Sequence, residues 1–90
     1  MVLLDLLGQR WTMRILWELR ESTLTFRQLQ AAAGDLSPSV LNRRLHELRA
    51  AMLVQNVNGE GYQLTDAGRE LLFCLRPLLD WSERWADSFR

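Results

Sequence analysis

The sequence lacks lysine altogether and carries one histidine and one cysteine among its 90 residues. Each absence closes off a class of chemistry. The single thiol, Cys74, cannot form an internal disulfide, so nothing calls for an oxidising compartment. The single imidazole, His46, has no partners at metal-ligand or catalytic spacing, and no glycine-rich loop is present to cradle phosphate. No metal centre, cofactor or enzymatic activity is therefore expected. Long apolar runs are also missing. The nearest candidate, Met1-Val2-Leu3-Leu4-Asp5-Leu6-Leu7, is too short to span a bilayer and lacks a basic start and a small-residue cleavage site. A cytoplasmic protein without a membrane partner is expected. Neither sign of charge dominates, since 11 basic residues face 11 acidic ones, where a nucleic-acid binder usually shows a positive excess.

The distribution is less even than the total. Between Thr25 and Ala50, Arg27, Arg43, Arg44 and Arg49 face only Asp35 and Glu47, whereas acids outnumber arginines from Glu60 onward. Every cation except His46 is arginine, which codon or lineage bias explains most simply, although arginine also suits bidentate contacts. With 48% hydrophobic residues, the composition is globular, and the length fits one domain over 1–90 with a small core.

Helical spacing organises the first half. Trp11, Ile15 and Leu19, with Leu16, give Gln9–Glu21 one broad apolar face. The β-branched stretch Ser22-Thr23-Leu24-Thr25 reads as a brief extended piece. Thr25 and Gln28 then have the spacing of a capping box for a helix over Phe26–Ala33, ended by Gly34. Ser37 is a favourable N-cap and Pro38 suits the first helical position of a further helix to about Ala51. Two short helices joined by a tight turn form a helix-turn-helix pattern. Leu53–Val57 and Gly61–Leu64 flank Asn58-Gly59, a strong hairpin signal, and a hairpin after the second helix is a wing. Thr65 caps a last helix whose apolar seam runs through Leu71, Leu72, Leu75, Leu78, Trp81, Trp85 and Phe89. Pro77 should kink or divide it near Arg76. The expected architecture is mainly α: a winged helix-turn-helix with a three-helix core, a short two-stranded β-wing and a C-terminal dimerisation helix.

Several of these stretches resemble a known family. The segments Gly8-Gln9-Arg10-Trp11-Thr12, Ile15-Leu16-Trp17-Glu18-Leu19, Phe26-Arg27-Gln28-Leu29, Leu36-Ser37-Pro38 and Leu41-Asn42-Arg43-Arg44-Leu45 are similar to those of HxlR-type bacterial transcription regulators, in the MarR-like superfamily. So are Glu47-Leu48, Tyr62-Gln63-Leu64-Thr65-Asp66-Ala67-Gly68-Arg69-Glu70-Leu71 and Trp81-Ser82-Glu83-Arg84-Trp85. The resemblance implies a homodimer that binds operator DNA, in some members under a small-molecule effector or a reactive species. Two features depart from it: the wing has only Asn58-Gly59-Glu60 at its tip, and the N-terminal cysteine of many redox-sensing members has no counterpart.

Stepping about 100° per residue, Leu41, Leu45 and Leu48 form a buried stripe on the second helix of the motif. Arg43, Ser39 and His46 fall on the opposite side, with Val40 and Glu47 flanking and Arg44 and Arg49 at the shoulders. In a helix-turn-helix the second helix enters the major groove. Arg43 is the candidate for guanine O6/N7, Ser39 for a base or phosphate, Val40 for a thymine methyl and Arg44 for a phosphate. Thr25, Arg27 and Ser37 stand where the two helix N-termini would meet the DNA backbone, and Asn58 stands at the wing tip. The plain alternative is a solvated face with an Arg43–Glu47 surface pair, in a winged helix that binds protein instead of DNA; zero net charge and the stub wing favour it. Leu4, Leu7, Leu78, Trp81, Trp85 and Phe89 are the expected dimer seam, since four tryptophans are more aromatic surface than one small core needs. Those tryptophans could instead wall an aromatic-ligand pocket. Cys74, between Phe73 and Leu75, is expected to be buried packing.

Overall fold

The computed structural model describes residues 2–90. In chain order it contains α1 (Val2–Leu7), α2 (Thr12–Glu18), α3 (Phe26–Ala32), α4 (Pro38–Ala50), β1 (Val54–Val57), β2 (Gly61–Leu64) and α5 (Asp66–Asp87). The first long helix expected from the spacing is shorter at both ends. Gly8 donates to Leu4 O at 2.8 Å and closes α1, and Trp11 takes a left-handed conformation (φ 78°) that starts α2 afresh. For a residue with a Cβ that conformation costs about 1 kcal/mol or more, and the partly buried Trp11 ring packing on the core offsets it.

The cap signals hold. Thr25 Oγ1 accepts from Gln28 N at 3.2 Å while Gln28 Oε1 accepts from Thr25 N at 2.9 Å, a complete capping box. Ser37 Oγ accepts from Val40 N at 3.3 Å, with Pro38 in the first turn of α4. Gly34 follows α3 at φ 84°. The end of α4 has no glycine: Met52 adopts φ 63°, and Leu53 N reaches back to Leu48 O at 3.0 Å, the long bond of a helix-terminating Schellman turn. That turn is why the first strand begins at Val54 and not at Leu53.

Ile15, Leu16 and Leu19 of the α2 region, Leu29 and Ala33, Leu36, and Leu41, Leu45 and Leu48 of α4 meet Val54 and Leu64 in one buried core. Full burial of each large side chain contributes about 1.5–3 kcal/mol. The hairpin pairs Val54 with Leu64 and Val57 with Gly61, antiparallel. Leu24 adds a one-residue third strand, bonded both ways to Tyr62 at 2.9 and 2.7 Å. Gly61 permits it, because a Cβ there would lie 2.2 Å from Leu24 O.

Gly68 likewise lets α5 press on the α4–β1 connection, where a Cβ would meet Leu53 O at 2.1 Å. Only the start of α5 packs this way, through Gly68, Leu71 and Leu72. Pro77 lies inside one continuous helix, so it does not divide α5. Pro77 removes the donor that the Phe73 carbonyl would otherwise have, and both residues are exposed, on the side of the helix where the loss costs least. Cys74 is exposed and not buried packing, since from Phe73 onward α5 presents these residues away from the core.

Candidate nucleic-acid interface

The second helix of the motif, α4, is held to the core by its leucine stripe, which leaves Ser39, Asn42, Arg43 and His46 exposed on the other side. Arg43, Arg27 and Arg49 are exposed, and their guanidiniums make no hydrogen bond or ion pair within the protein among the described residues. These free guanidinium forks each offer five N–H donors. Ser37 and Thr25 use their oxygens as caps and keep a hydroxyl proton to donate. Ser37 Oγ also lies 3.4 Å from Ser39 Oγ. Val40 is only partly exposed, its side chain packing against the core.

Arg44 requires a correction. It is 9% exposed. Its Nε donates to Arg10 O at 2.8 Å, and Nη1 donates to Glu47 Oε1 at 2.5 Å. The shoulder of α4 that a wheel leaves open is covered by the turn between α1 and α2, so the Arg44 guanidinium is engaged by protein partners and is not presented to a phosphate in this arrangement. Glu47 pairs with Arg44, not with Arg43, and its negative charge is cancelled before it can repel an anion.

Sequence spacing missed a groove beside this face. His46, Arg49 and Ala50 of α4 and Val54, Gln55 and Asn56 of β1 enclose an open volume of about 490 Å³. Arg49 stood at a shoulder of the wheel; only the hairpin folding back beside α4 shows that it faces the wing root. The wing itself brings amides and no cation: Gln55, Asn56 and Asn58 are exposed, and Glu60 puts a carboxylate at the tip.

The expected seam residues are largely uncovered. Leu4 is 61%, Leu78 52%, Trp81 50%, Trp85 52% and Phe89 71% exposed, whereas Leu7 packs partly on the core. Trp81 stacks on Trp85 at 5.6 Å and Phe89 meets Trp85 edge-on at 4.9 Å, a ladder of rings open to solvent. The tryptophans do not share one pocket. Trp17, with Arg20 stacked 4.0 Å over its ring, lines a cavity of about 240 Å³ between α2 and α5, bordered by Leu72, Phe73, Arg69 and Arg76, while Trp11 lines a separate one beside Leu7 and Met13. No group of three or more metal-ligating side chains occurs among the described residues, and none of their helices is long and apolar enough to cross a membrane.

Three helices around one core, the second and third forming a helix-turn-helix, a two-stranded wing behind them and a long helix leading away define a winged helix-turn-helix protein. The chain belongs to the family of HxlR-like helix-turn-helix proteins, whose model matches residues 6–89. It is 33% identical over 90 residues to the HTH-type transcriptional regulator YvaP of Bacillus subtilis, covering 92% of this chain and 82% of that one. Among solved structures it resembles an HxlR-family transcriptional factor from Thermoplasma volcanium, with a TM-score of 0.86 and 28% identity over 93% of this chain and 81% of that one. The quinone-bound YodB of Bacillus subtilis is similar as well (TM-score 0.77, 26% identity, 97% and 92% covered). The family and these relatives are transcription regulators and not enzymes.

Proposed function

We propose that residues 1–90 act as one DNA-reading domain that binds a pseudo-palindromic operator as a homodimer. The observation that carries this reading is the set of exposed, unpartnered guanidiniums of Arg27, Arg43 and Arg49, grouped on α3 and α4 with the only nearby helix carboxylate, Glu47, already neutralised. Arg43 reads a base edge, with Ser39, Val40 and His46 beside it in the groove. Arg27, Thr25 and Ser37 hold the backbone at the helix N-termini, Arg49 holds it at the wing root, and Asn58 approaches it from the wing tip. The dimer is supported by the uncovered ladder Leu78, Trp81, Trp85 and Phe89 together with Leu4 on α1. Covering such a patch with a second copy removes it from water and sets two reading helices about one helical turn apart. A small-molecule effector has a place in the cavity between α2 and α5.

Titration against genomic DNA fragments at two salt concentrations tests the reading. Binding must weaken steeply with salt as counterions return to the phosphates. Salt-insensitive binding, or none, hands the α4 face to a protein partner.

A further inference from the structure

We propose that Arg44 is a positioning residue, through which the turn between α1 and α2 sets the pose of the DNA-reading helix. The inference rests on the role just proposed for α4. The leucine stripe seats α4 on the core, but apolar contact is non-directional, and a directional bond at the shoulder adds an orientational restraint of a kind that the stripe lacks. Base-edge contacts tolerate only about 10–20° of such misorientation. Arg44 supplies that direction. Its planar guanidinium is held from two sides, by Arg10 O at 2.8 Å and by Glu47 Oε1 at 2.5 Å. No buried side-chain nitrogen or oxygen among the described residues is left unpaired.

The pair is partly buried, with the Arg44 and Glu47 side chains 11% and 33% exposed; such a pair is a poor source of stability, and its best-attested use is to specify one arrangement over another. The partner on the far side is informative. Arg10 lies between the end of α1 and Trp11, whose left-handed backbone at φ 78° and partly buried ring make this turn a fixed corner and not a slack loop. On one side of the corner is α1, which exposes Val2, Leu3 and Leu4; on the other is Arg44, adjacent in sequence to the outward-facing Arg43. The geometry thus links the apolar helix of the proposed dimer seam to the reading face by one hydrogen bond.

The test compares the whole protein with the variant Arg44→Met/Glu47→Gln, which removes the pair without stranding a charge, and with Glu47→Gln alone. The probes are a duplex selected by the wild type from a randomised pool, the same duplex with its half-site spacing changed by one base pair, and an unrelated duplex. Circular dichroism checks folding; should the double variant not fold, Glu47→Gln carries the comparison, with a smaller change in the same direction. Expected is about a tenfold loss on the selected duplex, comparable to one mismatched base pair. The unrelated duplex and the salt slope should not change, and the penalty for altered spacing should shrink. Equal loss on both sequences with a salt slope lower by about one would make Arg44 a phosphate ligand and overturn the proposal. Unchanged specific binding would also overturn it. A wild type that selects no duplex would overturn the DNA reading itself, and that result is known before any variant is measured.

Discussion

Replacing Trp85 by alanine should separate the two protomers while leaving each one folded. Trp85 is 52% exposed and stands in the middle of the ring ladder, stacked on Trp81 and met edge-on by Phe89. A tryptophan presents about 250 Å², so covering its open half removes about 125 Å² from water. At 25 cal/mol/Å² that is about 3 kcal/mol for each copy, and two-fold symmetry doubles it. Alanine's own surface and the cost of ordering the seam reduce the realised loss to about 3 kcal/mol per dimer, roughly a hundredfold weaker association. Sedimentation equilibrium across a concentration series reads this directly, and thermal melting of the dissociated form should match wild type because Trp85 lies off the core. If Trp85→Ala associates like wild type, or wild type itself sediments as a monomer at tens of micromolar, the seam is misassigned.

Arg43→Ala should cost about 1–3 kcal/mol on the selected operator and relax preference at one base pair per half-site; fluorescence anisotropy with matched and substituted duplexes checks it, and an equal loss on random DNA would reassign Arg43 to the backbone. Gly68→Ala should lower the urea midpoint by an amount equivalent to about 1–3 kcal/mol, since the new Cβ would lie 2.1 Å from Leu53 O; an unchanged midpoint would mean that α5 can shift freely at its start. Thr25→Ala should cost about 1 kcal/mol in the same denaturation assay through loss of the capping box, and a neutral result would mean α3 is held by packing alone.

Local signals were legible in the sequence because they are satisfied within a few residues. The Thr25–Gln28 capping box, the Ser37-Pro38 start of α4 and the turn over Asn58-Gly59, closed by Glu60 N to Val57 O at 3.0 Å, each depend on neighbours three apart. What stayed hidden depends on residues far away along the chain. Arg44 looked like a shoulder residue because its carbonyl partner, Arg10, lies 34 positions earlier. Arg49 gained its place only from β1 folding beside α4. Cys74 and the later seam residues obey the apolar spacing of a buried face, and spacing alone does not say whether the cover is the same chain or another one. Met52 gave no warning of its left-handed backbone, since that conformation ordinarily selects glycine or asparagine.

Hydroxyl-radical footprinting of the protein on a selected genomic fragment reads out whether a two-fold dimer occupies the DNA. Two protected patches related by a dyad are expected, centred about one helical turn of DNA apart, with both fading together as salt rises. A single unsymmetrical patch, or uniform cleavage at concentrations where the protein is fully associated, would contradict it.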